Sequence, residues 1–110
     1  MSGGIEVIDY KTGRPWSQAG VEENLQLSIY ALACRDVLGL GRPERVTLYF
    51  TEAASRTSTT RTDEQLDAAR ATILERAARM RTGDFAATPS DRACGWCDYA
   101  ALCPSRWGSA

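Results

Sequence analysis

The chain contains no histidine, so only thiolates and oxygens remain as side-chain ligands for a metal ion. It has one lysine, Lys11, among thirteen basic residues. Neither charge sign dominates. The net charge is −1 and the pI about 5.4, so the bulk field does not draw nucleic acid, and any such contact has to come from local clustering. No apolar run approaches the roughly 20 residues that span a bilayer, so no spanning helix and no membrane partner are expected. The opening "MSGGIEVIDY" lacks the basic start and apolar stretch of a secretory signal. The expected compartment is the cytoplasm, where thiols stay reduced.

What is present suits one domain with a modest core. The chain has 110 residues, 44% hydrophobic and 25% charged. After "MSGG" it enters an apolar strand pattern with no lead-in. "SGG" reads as an expression scar or a flexible lead, and the chain is expected to be a piece of a longer protein.

Residues 5–11, "IEVIDYK", are rich in β-branched residues and stop at "TGRP", the pattern of a strand. Residues 12–20 read as a loop. Val21, Leu25, Ile29, Leu32 and then Cys34 or Val37 recur with a period near 3.6, predicting one helix over residues 21–39. Gly39, Gly41 and Pro43 end it. "RVTLYFT" (45–51) predicts a second strand, "EAAS" a turn, and "RTSTTRT" a polar third strand at a sheet edge. A second long helix is expected over 63–82, capped by Thr62 or Asp63 with Glu64 and Gln65 in its first turn. Its apolar stripe is Leu66, Ala69, Ile73, Ala77 and Met80, and Gly83 stands at its C-terminal cap. Arg70, Arg76 and Arg79, mixed with Asp67 and Glu75, read as a solvated face. This order predicts an α/β (α+β) fold: a small mixed sheet of about three strands with two flanking helices. It occupies residues 5–83, followed by a cysteine-containing tail, 84–110, in a single domain.

Alternation along the first strand places Ile5, Val7, Asp9 and Lys11 on one face and Glu6, Ile8 and Tyr10 on the other. Two charges continuing an apolar face suggest a cleft at the sheet edge. There a carboxylate can hold a hard cation. An ammonium beside it can stabilise charge at phosphorus or hold an attacking water. A compact lysine suits that work better than a guanidinium. The plainer alternative is a surface ion pair, worth about 0–1 kcal/mol. Glu22, Gln26 and Tyr30, spaced i, i+4, i+8, form a polar stripe on the expected helix. It serves either to position Lys11 and touch phosphate or simply as a boundary between core and water.

"IEVIDYKTG", a loop and then "ENLQLSIYALA" resemble the RecB/AddB-type branch of the PD-(D/E)xK nuclease superfamily, in which a strand ending D-Y-K-T-G precedes a helix bearing Q-L-x-x-Y. The resemblance covers Ile5 to about Tyr30 and resumes in the tail. It implies an incomplete restriction-endonuclease-like core. It also implies metal-dependent hydrolysis of DNA phosphodiesters by the C-terminal part of the nuclease domain of a DNA repair helicase-nuclease. By the same resemblance, Asp9 and the Tyr10 carbonyl would ligate Mg²⁺ or Mn²⁺, Lys11 would assist the attacking water, and Gln26 and Tyr30 would orient the site and the DNA. Implied partners are DNA, the rest of the helicase-nuclease polypeptide and a second subunit. The family also needs an Asp on a preceding strand, and Glu6 points to the wrong face to replace it. One carboxylate is a poor cage for Mg²⁺, so the chain alone is expected to be inactive or nearly so.

Cys94, Cys97 and Cys103 give C-x2-C-x5-C, followed by Pro104. In a reducing compartment this spacing points to a metal or a cluster rather than a disulfide. "CGWCDYAALCP" extends the resemblance, which implies a [4Fe–4S] cluster on these three thiolates, with structural zinc as the alternative. Either group wants four ligands. The fourth would be Cys34, Asp98 or a residue outside the chain, and Cys34 also reads as a small core hydrophobe. Trp96, Tyr99 and Trp107 would wall such a centre from water or stack on single-stranded bases. Two readings of other classes stay open: a non-catalytic DNA-binding or structural module, and a zinc-stabilised protein-interaction domain.

Overall fold

Glu6–Lys11 forms β1, Gln18–Glu22 α1, Leu25–Leu32 α2, Arg45–Phe50 β2, Ser55–Thr59 β3, Asp63–Arg81 α3 and Asp91–Trp96 α4. These elements belong to a computed structural model that describes residues 4–108. The lead read at Ser2 and Gly3 lies outside the described residues. The chain divides into two compact units, one ending at Arg76 and the other beginning at Ala77. Among the described residues, no helix is long and apolar enough to cross a membrane.

In the first unit the sheet order is β1-β2-β3, with β1 parallel to β2 and β2 antiparallel to β3. The three-strand mixed sheet expected from the sequence is therefore present. β1 and β3 are its edges. The turn between β2 and β3 closes on Ala54 at φ +49°, a left-handed conformation uncommon for a residue with a Cβ. Period-2 alternation sorts the two faces. Val46, Leu48 and Phe50 turn inward and are almost fully buried with Val21, Leu27, Ala31, Leu32 and Leu66. On the opposite face, Glu6 bridges Arg45 (2.7 Å) and Arg56 (2.6 Å). Thr47 shares a hydroxyl contact of 2.8 Å with Ser58, and Tyr10 meets Tyr49 edge-on.

The single helix expected over residues 21–39 is instead two short helices and a π-helical turn. α1 starts earlier, because Ser17 Oγ accepts from Gly20 N at 3.0 Å and caps it. The chain breaks at Glu23, and Asn24 Oδ1 accepts from Leu27 N at 2.8 Å to cap α2. Ala33–Val37 then widens into the π turn, with Leu38 N reaching Ala33 O at 2.9 Å. The break resets the helical phase. The core stripe is Leu27, Ala31 and Cys34, with Ser28 and Leu32 beside it, whereas the expected Ile29 and Val37 are 43% and 79% exposed. The Glu22–Gln26–Tyr30 stripe fails for the same reason. Glu22 ends α1, where it accepts from Gln18 at 3.4 Å, and only Gln26 and Tyr30 share α2.

α3 begins with a reciprocal capping box. Gln65 N donates to Thr62 Oγ1 (3.1 Å), and Thr62 N donates to Gln65 Oε1 (2.8 Å). Leu66 is fully buried, with Ala69 and Ile73 packed against the core. In the second unit the helix ends in a Schellman motif. Gly83 sits at φ +76°, and the N–H groups of Gly83 and Asp84 return to Met80 O and Arg79 O. Met80, expected in the apolar stripe, is 62% exposed. After an extended stretch, Ser90 Oγ caps α4 by accepting from Ala93 N at 2.9 Å, and turns carry the chain through Trp107.

Candidate functional site

The site forms where β1 leaves the sheet. Asp9 and Lys11 point to the same inward face, as their spacing requires. Lys11 Nζ lies 3.1 Å from Asp9 Oδ2, and the two side chains are partly buried, 28% and 14% exposed. Lys11 also donates to Gln26 Oε1 at 2.8 Å. Gln26 is placed by the first turn of α2, which the Asn24 cap sets in phase over the end of β1. A third group thus holds the ammonium from the helix side.

Asp9 Oδ2 is buried and, among the described residues, makes no hydrogen bond. Its contact with Lys11 is short but badly directed, so the attraction is that of two charges rather than a bond along an N–H. A buried carboxylate oxygen left in this state is costly unless something satisfies it.

A groove of about 540 Å³ opens at this point, lined by Val7, Asp9, Tyr10, Tyr30, Cys34 and Leu38 among others. It runs beside the edge of β1 that, among the described residues, has no strand partner. The carbonyls of Ile5 and Lys11 accept from Glu44 N and Thr51 N on the β2 side. Successive strand carbonyls alternate in direction, so the Tyr10 carbonyl points to the free edge. The Tyr10 side chain goes the other way and is 66% exposed. Tyr30 flanks the groove one helical turn beyond Gln26. The structure thus brings Lys11 into contact with Asp9 and Gln26 and sets Tyr10 and Tyr30 along a groove that Asp9 lines but Lys11 and Gln26 do not.

Asp9 and the Tyr10 carbonyl are hard oxygen donors, the chemistry that Mg²⁺ prefers. They do not complete a site. Among the described residues, no three Cys, Asp or Glu side chains converge to hold a metal ion. Glu6, three residues before Asp9, cannot help. It lies on the other face, and the Arg45 hydrogen bond, reinforced by the charges of Arg45 and Arg56, holds its carboxyl below the usual range despite partial desolvation.

In the second unit, Cys94, Cys97 and Cys103 line one pocket of about 160 Å³ with Thr88, Pro89 and Ala93 among others. Trp107 N donates to Cys94 Sγ at 3.3 Å. All three thiols are free, Cys97 being exposed. Trp96, Tyr99 and Trp107 do not wall this pocket from water: they are 86%, 74% and 60% exposed. Cys34 is buried in the first unit and lines the Asp9 groove.

One residue that the sequence pattern did not single out is Arg61. It is 4% exposed and surrounded by carbonyls and hydroxyls. Its only local signal is an arginine between a polar strand and a helix cap, which looks like an ordinary surface position.

No curated protein matches the chain. The family model of the PD-(D/E)XK nuclease superfamily matches it over residues 1–104. With a mixed sheet carrying Asp9 and Lys11 at the end of β1, and an α2 side chain holding that lysine, the chain belongs to the PD-(D/E)XK nuclease superfamily.

Proposed function

We propose that this chain is the lysine-bearing part of a DNA nuclease centre of the RecB/AddB type, acting within a DNA repair helicase-nuclease. The observation that carries this reading is the Asp9–Lys11–Gln26 cluster, with 3.1 Å and 2.8 Å contacts on one ammonium. Lys11 holds the attacking water and stabilises the negative charge growing on the phosphate. Gln26 fixes the ammonium so that no reorganisation is needed during reaction. Tyr30, across the groove, contacts the DNA backbone. Members of the superfamily usually use Mg²⁺, which when bound supplies positive charge at the scissile phosphate. Asp9 and the Tyr10 carbonyl would give it two oxygens, and the remaining ligands would come from outside the described residues.

The test is plasmid nicking with Mg²⁺ or Mn²⁺, run on the chain alone and on its full-length gene product. The expected result is little or no cleavage by the chain and Lys11-dependent cleavage by the full-length protein. Full-length cleavage that survives Lys11→Met overturns the assignment.

For the tail, we propose that Cys94, Cys97 and Cys103 contribute three thiolates to a [4Fe–4S] cluster, completed by a fourth ligand. The three thiols line one pocket but do not converge as they stand, so binding the cluster would draw them together, and the Trp107 N–H on Cys94 sulfur is the kind of donor that tunes such centres. A brown protein with visible absorption is expected from anaerobic purification of the full-length product. A colourless protein with one equivalent of zinc favours a zinc-stabilised module instead.

A further inference from the structure

Arg61 uses all the hydrogen-bonding capacity of its side chain. A guanidinium carries five N–H donors, and five acceptors surround this one. Nε donates to Ser28 Oγ at 2.9 Å. Nη1 donates to Thr59 Oγ1 and Thr60 O, each at 3.3 Å. Nη2 donates to Val21 O and Asn24 O, each at 3.1 Å. Among the described residues, none of its contacts is a salt bridge to a carboxylate. Burial pushes the guanidinium down from its ordinary value, and the Glu22 charge pushes it back up. A buried cation without a direct partner is expensive. It persists here because every donor is satisfied.

The acceptors lie where the helix breaks. Val21 O belongs to the end of α1, Asn24 O to the cap of α2, and Ser28 Oγ to the first turn of α2. Thr59 and Thr60 lie at the end of β3. Arg61 thus ties both sides of the break to the sheet, while Arg42 Nη1 holds the Arg61 carbonyl at 2.8 Å. The first turn of α2 also carries Gln26, whose side chain holds Lys11.

We infer that Arg61 is a positioning residue for the nuclease site: it clamps the α1–α2 break and thereby sets the helical phase that brings Gln26 onto Lys11. This rests on the reading of Lys11 and Gln26 as site residues. A lysine cannot replace the arginine, because a single ammonium cannot reach acceptors on both sides of the break.

The single lysine makes the test direct. Protein labelled with ¹³C,¹⁵N-lysine has one lysine spin system. In the wild-type chain, a cross-peak between the Lys11 ε protons and the Gln26 γ protons is expected at neutral pH. In Arg61→Lys it is lost, and the Lys11 Cε shift moves to that of Gln26→Ala. Ser28→Ala, which removes one acceptor and favours helix, keeps the fold if Arg61→Lys does not, and it weakens the cross-peak. Leu66→Ala serves as a control, since it loosens the core without touching the clamp and keeps the cross-peak. Retention of the cross-peak in folded Arg61→Lys and in Ser28→Ala overturns the inference, as does its equal loss in Leu66→Ala. Absence of the cross-peak in wild type sinks the Lys11–Gln26 geometry itself. Absence of nuclease activity, by contrast, leaves the positional result standing.

Discussion

Glu6 and Asp9 stand on one strand, three residues apart, and face opposite ways. Glu6 receives Arg45 on one oxygen and Arg56 on the other, with Thr47 3.4 Å from the first. Among the described residues, Asp9 has one lysine at a poorly directed 3.1 Å and a buried oxygen without a hydrogen bond. Both carboxylates are next to positive charge, but only Glu6 is saturated. A saturated carboxylate locks a sheet face. An unsaturated one beside a groove is free to take a further ligand. The two faces of β1 therefore differ: the Glu6 face holds strands together, and the Asp9 face is the one proposed above to carry chemistry.

That division can be broken most forcefully at Lys11. In the helicase-nuclease proposed above, Lys11→Met is expected to lower DNA cleavage by about 10²–10³-fold, the range for losing one charge-stabilising donor. Glu6→Gln should leave cleavage within about twofold, because it lies on the other face. Nicking rates on supercoiled plasmid measure both. Next in size, Gln26→Ala should cost about tenfold in the same assay, since the ammonium stays but loses its anchor. An effect of Gln26→Ala as large as that of Lys11→Met would make the glutamine a direct participant.

Stability provides a smaller contrast of opposite sense. Asp9→Asn keeps the side chain's shape; it relieves a buried oxygen that lacks a hydrogen bond but removes the charge facing Lys11, so the two effects offset and urea unfolding should shift by no more than about 1 kcal/mol. Glu6→Gln should lower the urea midpoint measurably at pH 7 by removing a carboxylate that two arginines share. The smallest effect is its pH dependence. The folded Glu6 carboxyl lies below its ordinary value of 4.5. Its stabilisation is therefore present above that pH and is lost as pH falls through the lower folded value. The gap between wild type and Glu6→Gln should close on acidification from pH 5 to pH 2. A gap that persists at pH 2 would assign it to packing rather than charge.

Much of this was legible along the chain. Period-2 alternation was enough to put Asp9 with Lys11 and to turn Glu6 away. Thr62 followed by Gln65, and Gly83 after the last helical turn, marked both ends of α3. The first helical region was misread because its apolar spacing continues across a cap. Asn24 offers its side chain to Leu27 N, and that local bond stops α1 and restarts the helix as α2 in a new phase. Period counting weighs apolar positions and not such competing polar bonds. Ile29 and Val37 were expected inside for that reason, and Glu22 was expected beside Gln26.

By itself the sequence determined the strand that presents Asp9 and Lys11, the alternation that pairs them, and the caps of the last long helix. Each depends on residues within about four positions of one another, where backbone geometry alone decides who meets whom. Tertiary structure decided that Gln26 reaches Lys11, that Asp9 keeps an unbonded oxygen, and that Arg61 is buried. Those outcomes join β1, the α1–α2 break and the end of β3, segments that approach only when the sheet forms and the helices pack on it. No local pattern encodes such a meeting. A guanidinium looks like a surface charge until five acceptors from separate segments close around it.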